Sequence, residues 1–360
     1  MNGLRALVVS LVIACTAVVC PAAQPATAAV APSWSALPVP PAAPDAWVSD
    51  LAARGAGEAW ATGSEPTAEG RRPLLYRGDG AAWSRDTTFP GADGRGYLGT
   101  VQFVGDEVWI LRGLEGPAEI LRRSAGGSWS TIPVPQELWW YQGFTAVPGA
   151  AWVTGEDSTG MKLLHYDGSG WTDQAVPDGV LSLMGITART ATDAWAWANS
   201  ATGGGDIVLH WNGKAWRDAK VPLPPSSSVH QMLLEPGGRV TISGRHSLGD
   251  GAGYRTFVMT GDGRTWRTTY PVLPDNAYTE NMARGPDGAL WLPLISDRAF
   301  QSKYARIDGR RVSYSYGPER TNAIEVSPDV LARAGSSLLS FGTVEIYGSK
   351  PNLMSERLGG

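Results

Sequence analysis

The strongest constraint on this chain is a tryptophan that recurs every 42 to 50 residues from one end to the other. The six markers are Trp34, Trp83, Trp129, Trp171, Trp216 and Trp266. A proline stands six residues after four of them, and proline closes a strand because its nitrogen cannot donate to a ladder. The same spacing finds a seventh copy without tryptophan at Val312, followed by Pro318. A period of this length predicts an array of small β-sheets.

Each repeat reads as four short strands, which we call a to d in chain order. A glycine turn such as Asp167-Gly168, Asn212-Gly213 or Asp262-Gly263 precedes the marker, as hairpin turns require, so the marker opens strand d. A second register, on strand b, lies upstream of the markers: Trp60, Trp109, Trp152, Trp195, Val240, Trp291 and Leu339. These two registers hold 11 of the 16 tryptophans, which predicts that most of the rings are packed between neighbouring sheets.

The two ends of the chain are complementary. Residues 34–40 supply a d strand with no a, b or c before it, and residues 330–334, 338–343 and 344–347 supply three strands with no d after them. Joining them makes one complete sheet and leaves no open array edge. The sequence therefore predicts an all-β, seven-bladed β-propeller with four antiparallel strands per blade, its last blade completed by the N-terminal strand.

Residues 1–29 have the features of a secretory signal peptide. Arg5 precedes an apolar run that ends at Cys20, and a small-residue segment up to Ala29 follows. We therefore expect an exported, extracellular protein with a single propeller domain over residues 30–360. The alternative is a lipid anchor on Cys15, because residues 12–15 loosely resemble a lipobox. No later segment is long and apolar enough to suggest a transmembrane helix.

Composition excludes several kinds of site. Both cysteines lie in the leader, so the mature chain has no thiol for a disulfide, a zinc site or a nucleophile. Loss of the leader moves the formal net charge from −4 to −5. A net negative charge does not indicate the basic surface that binding to nucleic acid requires. No two of the four histidines share a metal-ligand spacing. We predict no metal, no cofactor and a monomer.

One hairpin carries a family resemblance. Residues 260–266, Thr-Gly-Asp-Gly-Arg-Thr-Trp, resemble the Asp-box of sialidase-type (BNR) propellers, and residues 166–171 and 211–216 are more degenerate copies. The resemblance implies a secreted bacterial seven-bladed propeller, in which this box is a folding element away from the active site. It implies no sialidase chemistry, because the Arg-Ile-Pro segment of that family is missing and the arginines cannot be assigned to its roles.

Propeller ligands meet the mouth formed by the d–a and b–c loops, so the candidate site residues come from those loops. They are Trp139, Trp140, Tyr141, Glu156, Asp157, His246, Asp250, Tyr278, Glu280, Asp297 and Arg298. The aromatic residues lie outside both tryptophan registers, and rings beside amide and carboxylate groups suit sugars. The alternatives stay open, since the rings could pack against blade 3 and the charges could be solvated loop residues.

Two functional hypotheses follow. The first is a recognition protein that binds a glycan or another extracellular ligand, such as a cell-envelope component, at the mouth without turning it over. The second is a carbohydrate-active enzyme, a glycoside hydrolase or a polysaccharide lyase, because paired carboxylates or a His or Tyr base with an arginine could serve either reaction. A scaffold for protein partners at the cell wall is a third possibility. Catalytic residues cannot be assigned, and the sequence does not decide whether there is catalysis.

Overall fold

The computed structural model describes residues 33–114, 116–135, 138, 140–249, 251–274 and 281–359. These residues form 28 β-strands and one short 3₁₀ helix, Pro236–Gly238. The strands make seven four-stranded antiparallel sheets, which are arranged in a ring as the seven blades of a β-propeller. The predicted fold class is therefore confirmed. The proposed leader, residues 1–29, lies outside the described residues.

Within each blade the order from the channel outward is a, b, c, d. The a strands are β2 (Trp47–Ala53), β6 (Tyr97–Val104), β10 (Trp140–Val147), β14 (Val180–Thr190), β18 (Ser227–Leu234), β22 (Ala283–Arg284) and β26 (Ala323–Ala334). The b strands are β3 (Ala59–Thr67), β7 (Glu107–Leu114), β11 (Ala150–Asp157), β15 (Asp193–Ser200), β19 (Val240–Ser247), β23 (Leu290–Leu294) and β27 (Ser337–Ile346). Blades are numbered 1 to 7 in this order.

The outer strands complete the blades. The c strands are β4 (Gly70–Gly78), β8 (Gly116–Arg123), β12 (Gly160–Tyr166), β16 (Asp206–Trp211), β20 (Tyr254–Gly261), β24 (Lys303–Asp308) and β28 (Asn352–Leu358). The d strands are β5 (Trp83–Arg85), β9 (Trp129–Pro133), β13 (Trp171–Asp173), β17 (Trp216–Asp218), β21 (Trp266–Thr269), β25 (Arg311–Tyr316) and, for blade 7, β1 (Trp34–Leu37). All seven d-strand markers fall in d strands.

The ring is closed by the two ends of the chain, as predicted. Strand β1 pairs antiparallel with β28, with Trp34 opposite Leu358 and Leu37 opposite Ser355. The prediction for the third C-terminal strand was wrong: residues 344–346 continue strand b, and strand c begins only at Asn352. The marker of blade 7, Trp34, lies at the other end of the chain, so no tryptophan follows strand c in the sequence to mark this boundary.

The b-strand register holds except in blade 5. In blades 1 and 3 a glycine lies three residues after the tryptophan and pairs just before a bulge of strand a: Gly63 and Gly155. In blade 5 the glycine in this position is Gly244. Thr241, rather than Val240, therefore occupies the tryptophan position there.

We call the end of the ring where a strands begin and b–c turns lie the mouth, and the opposite end the base.

Candidate functional site

The seven a strands surround a central channel that contains a cavity of about 890 Å³. Residues from every a strand line this cavity, which shows that the inner strands all face one shared space. Small-molecule sites in proteins have volumes of roughly 300 to 1,000 Å³. The channel is therefore large enough to hold a ligand.

Six of the a strands carry a β-bulge, and in blade 2 it lies at Gly99 and Thr100. In the other five the equivalent bulge leaves one residue unpaired: Ser49, Gln142, Met184, His230 and Asp329. A bulge turns the extra side chain out of the regular alternation of the strand. Four of the five, all except Asp329, line the channel cavity. The fold thus repeats one irregularity around the ring and presents different side chains at it.

Polar side chains on the inner strands fasten each blade to the next. Asp50 Oδ2 accepts a hydrogen bond of 2.9 Å from the backbone N–H of Val101 in blade 2. Asn281 has in blade 6 the register position of Asp50 in blade 1, and its Oδ1 accepts a 2.8 Å bond from the N–H of Leu331 in blade 7. The side-chain oxygen has the same role in both places.

Gln102 makes a similar link and, like Asn281, leaves a donor free. Its Oε1 accepts bonds from the N–H of Ala146 at 2.7 Å and the hydroxyl of Thr145 at 3.3 Å. Once the amide oxygens are held in this way, no described residue accepts from Nε2 of Gln102 or Nδ2 of Asn281. Both residues line the cavity. The channel wall therefore carries unused N–H donors.

Trp197 brings an aromatic ring to the channel. It occupies in blade 4 the b-strand position held by Thr62 in blade 1 and Thr154 in blade 3. Its a-strand partner is Gly185, where an added Cβ would lie only 2.1 Å from Cζ2 of the indole. The missing side chain at Gly185 therefore gives the ring room to reach the cavity, which it lines.

Two carboxyl groups on the inner strands have raised pKa values. Burial raises the pKa of Asp50 to about 6, against the lowering effect of hydrogen bonds from the N–H groups of Val101 and Leu51. Asp329 is open to water yet enclosed by protein, and this enclosure raises its pKa to about 6, with a further contribution from Glu325. No described residue forms an ion pair with either group. Each of these two groups therefore carries its negative charge only above about pH 6.

The base end of the channel has a different character. Glu235 is held by Arg284 at 2.5 Å, Arg239 at 2.6 Å and the Thr241 hydroxyl at 2.8 Å. Burial raises the pKa of this carboxyl, but these three hydrogen bonds lower it more, so it stays ionised. Blade 5 thus has a polar network at the position where five blades have a tryptophan and blade 7 has Leu339.

Glu156 and Asp157, at the blade 3 mouth, are placed differently. Glu156 Oε1 accepts a 3.2 Å bond from the Ser182 hydroxyl, which also contacts the bulge residue Gln142. Asp157 Oδ1 accepts bonds of 2.7 Å from the N–H and the hydroxyl of Thr159, which lower its pKa. Glu156 is therefore linked through Ser182 to the bulge residue Gln142, whereas Asp157 shapes the b–c turn.

Asp297 and Arg298 converge on one ring in blade 6. The Asp297 carboxylate lies 2.9 Å from Nζ of Lys303 and accepts a 3.0 Å bond from the hydroxyl of Tyr316. The guanidinium of Arg298 stands 3.7 Å from the centroid of the same tyrosine ring. The bond from Lys303 is the main cause of the lowered pKa of Asp297. The cluster lies at the b–c loop, as the sequence predicts.

His246 and Tyr141 are both half-buried. The His246 ring lies 5.5 Å from that of Tyr270, and its Nε2 has no hydrogen-bond partner among the described residues. The phenol oxygen of Tyr141 accepts a 2.7 Å bond from the N–H of Ala118, and its ring packs against the core between blades 2 and 3. Four further candidates, Trp139, Asp250, Tyr278 and Glu280, lie outside the described residues, and only the backbone of Trp140 is described.

Large exposed apolar side chains are concentrated at the mouth. Thirteen are exposed among the described residues, and twelve of these lie where a strands begin, b–c turns lie or d strands end. The twelve are Trp47, Leu181, Met184, Leu248, Tyr254, Tyr270, Val272, Ile295, Phe300, Ile324, Ile346 and Tyr347. Val272 and Tyr347 are 81% and 87% exposed. Such one-sided exposure marks an interaction face more often than chance scatter.

At the base two of the strand b tryptophans are held by acidic residues. The indole N–H groups of Trp109 and Trp195 donate to Glu107 and Asp193, each 2.9 Å away and two residues upstream. Glu107 is also bonded to Arg122. Nε1 of Trp152 and of Trp291 is buried without a partner among the described residues. In the described part of the chain no three His, Cys, Asp or Glu side chains group as a metal site, and no helix has the length and apolar character needed to cross a bilayer.

Comparison with known proteins supports the fold. No protein-family model matches the chain, and no curated protein matches it. Among solved structures, YCF48 bound to a D1 peptide has 18% identity and a TM-score of 0.55, over 92% of this chain and 98% of that one. A streptogramin B lyase has 14% identity and a TM-score of 0.61, over 91% of this chain and 98% of the lyase.

An enzyme of another kind shares the architecture. The GH74 xyloglucanase from Xanthomonas campestris has 15% identity and a TM-score of 0.55, and the match covers 90% of this chain but 53% of the xyloglucanase. The propellers similar to this chain thus include a protein solved with a bound peptide and two named as enzymes. Identities this low show the shared fold alone.

Proposed function

We propose that the protein is an exported recognition protein that binds a glycan or another extracellular ligand at the mouth of the propeller without turning it over. The observation that carries this proposal is the one-sided distribution of exposed apolar side chains. Apolar area is worth about 25 cal/mol per Å² when it is removed from water, so a mouth that exposes such residues gains from being covered. The export itself rests on the leader, residues 1–29, and the relation to secreted Asp-box propellers rests on the hairpin at residues 260–266.

The state of the mouth carboxylates favours binding over catalysis. Asp157 is occupied in a turn, and Asp297 is neutralised by Lys303. Both have lowered pKa values, whereas a general acid at neutral pH needs a raised one. Neither is therefore suited to donate a proton to a leaving group.

One observation favours the enzyme alternative. Asp329, accessible to water and with a pKa of about 6, has the protonation behaviour expected of a general acid or base. Incubation with a panel of extracellular polysaccharides, followed by reducing-end and unsaturated-product assays, addresses this alternative. Turnover that is lost in Asp329→Asn would replace the binding proposal with the enzyme.

Binding is tested with the mature protein on arrays of extracellular and cell-wall glycans, with calorimetry on every hit. The mouth variant combines Leu181→Ser, Val272→Ser and Tyr347→Ser, three exposed positions in blades 4, 5 and 7. The control is Arg217→Ser, an exposed residue of the outermost strand of blade 4. We expect the mouth variant to lose at least tenfold in affinity and the control to bind as wild type. Equal affinity of the two variants would contradict a mouth site.

A further inference from the structure

Among the seven blades, only blade 4 has a tryptophan at the strand b position of Trp197. Blades 1 and 3 place a threonine at this position, and the hydroxyl of Thr62 bonds to the carbonyl of Gly99 in the next blade. Blade 3 also pairs its threonine with a glycine, Gly143, so Gly185 follows the repeat and the indole is the feature special to blade 4. The ring packs against the core between blades 4 and 5 and also lines the channel cavity.

The indole of Trp197 is only partly buried and its N–H is unused. In the described part of the chain no residue accepts a hydrogen bond from Nε1. The Nε1 atoms of Trp152 and Trp291 are also unbonded but buried, whereas Nε1 of Trp197 is open to the channel. The ring nevertheless lines the channel cavity. It presents an aromatic surface and a hydrogen-bond donor to the same space.

The other polar groups on the cavity wall complement this ring. Nε2 of Gln102 and Nδ2 of Asn281 are donors held in place by the bonds that their oxygens accept from the next blade. Asp50 supplies a carboxylate whose oxygens each accept one backbone bond and keep further lone pairs. The wall thus combines an aromatic surface, fixed amide donors and a fixed acceptor.

We propose that the channel is a binding site for one sugar residue, with Trp197 as its stacking platform and Gln102, Asn281 and Asp50 as its hydroxyl partners. A pyranose has one apolar face of C–H groups and a rim of hydroxyls that both donate and accept, which matches this set. A cavity of about 890 Å³ accommodates such a unit with space to spare. The inference rests on the proposed function and names the part of the ligand that enters the channel.

The probes are the methyl glycosides of glucose, galactose, mannose and N-acetylglucosamine, followed by saturation-transfer NMR and calorimetry. Trp197→Thr installs the residue that blades 1 and 3 already contain, so it keeps the fold. Tyr314→Ala is the matched control, because Tyr314 is an exposed aromatic residue of the outermost strand of blade 6, away from the mouth and outside the cavity lining. We expect at least one glycoside to bind wild type and Tyr314→Ala equally, and Trp197→Thr at least tenfold more weakly.

Two isosteric variants test the hydroxyl partners. Asn281→Asp and Gln102→Glu keep the oxygen that accepts from the next blade and replace the N–H donor with a charged carboxylate oxygen. Asp50 shows that a carboxylate in this register makes the same inter-blade bond. Each variant is expected to weaken binding of the glycoside by about tenfold, the loss typical when a buried polar contact is left unmade. A structural role alone would leave affinity unchanged.

The outcomes separate this inference from the proposed function. A glycoside that binds Trp197→Thr as tightly as wild type, or a wild-type protein that binds none of the four, overturns the channel site. Glycan-array binding that survives in Trp197→Thr but fails in the mouth variant leaves the proposed function standing without this site. If wild type binds none of the four glycosides and no glycan on the array, both the channel site and the proposed function are contradicted.

Discussion

Trp34 stacks on Tyr304 with ring centroids 3.7 Å apart and an interplanar angle of 16°. The indole N–H of Trp34 also donates a 2.9 Å bond to the hydroxyl of Ser315. Trp34 opens the strand that completes blade 7, whereas Tyr304 and Ser315 belong to blade 6. The N-terminal strand is therefore held both by its ladder to β28 and by aromatic packing against the neighbouring blade.

Replacing Trp34 tests how much this packing stabilises the closed ring. The side chain is 6% exposed, so Trp34→Ala leaves a large cavity between blades 6 and 7. We expect the free energy of unfolding to fall by about 3 to 5 kcal/mol, measured by urea denaturation. Ser35→Ala, an exposed change on the same strand, should alter it by less than about 0.5 kcal/mol. Similar losses in the two variants would contradict a packing role.

Glu356 is a second element of the same closure. It is 0% exposed and accepts bonds from Arg320 at 2.9 Å, Tyr304 at 2.8 Å and Ser302 at 2.5 Å. Glu356→Ala would leave the Arg320 charge without its partner, and breaking a buried pair in this way costs about 3 to 5 kcal/mol.

The exposed pair of Lys220 and Asp218, 2.8 Å apart, provides the comparison for Glu356. Lys220→Gln should change stability by less than about 1 kcal/mol, because solvent screens a surface ion pair. Thermal unfolding of the two variants side by side measures the contrast. A Glu356→Ala protein as stable as Lys220→Gln would show that the buried network is dispensable.

The raised pKa of Asp50 predicts that Asp50→Asn, which removes the charge, stabilises the protein to an extent that depends on pH. Folded wild type binds more protons at this group than the unfolded chain between pH 3.8 and about 6, so its stability falls as pH rises through that window. Asp50→Asn has no group that ionises here, so its stability does not fall in this window. Asn281 shows that an asparagine fits the position. At pH 8 we expect the variant to be more stable by on the order of 2 kcal/mol, and near pH 4 to show no gain.

Asp157 is the control for Asp50, because its contribution to stability should change with pH in the opposite direction. Its pKa is lowered, so its contribution to stability is present above the ordinary carboxyl range and is lost as pH falls. Asp157→Asn should therefore be less stable than wild type at neutral pH and approach it in acid. Urea unfolding of both variants at pH 4, 5, 6 and 8 checks the two signs. Parallel pH profiles would contradict the assignment for Asp50.

Gly185 and Trp197 should be energetically coupled. An added Cβ at residue 185 would overlap the indole, and we expect Gly185→Ala to destabilise the protein by about 1 to 3 kcal/mol. With Trp197→Thr in the background, the same change should cost less than about 0.5 kcal/mol, so the double-mutant cycle is strongly non-additive. Gly99→Ala, whose Cβ would have ordinary contacts from 3.6 Å, is the mild control. Additive losses would mean that the ring does not fill the space above residue 185.

The architecture could be predicted because each blade repeats the same landmarks. Trp83 and its counterparts occupy one position per d strand, and the partial repeats at the two ends gave the closure. The prediction failed where the landmarks change. Blade 5 has Thr241 in place of tryptophan, and blade 7 begins its c strand at Asn352 after an irregular turn with Gly348 at φ 78°.

The channel site was less visible in the sequence. Trp197 could have been noticed, because it lies two residues after Trp195 and outside both registers. Asp50, Gln102 and Asn281 look like ordinary polar residues on strands, and nothing local reveals that seven strands bring them to one space. Bulges are also invisible to a pattern of alternating residues, since one extra residue changes the register only when the partner strand is known.

The ladder between β1 and β28 sets a condition on how the molecule is made. Ser35 bonds to the carbonyl of Arg357, 322 residues away along the chain. A ribosome releases the first of these strands long before the second exists, so six blades can form while β1 still lacks its partner. Completion of the circle is then the final event of folding, and a chain halted before Asn352 would keep a bare edge open to pairing with other chains.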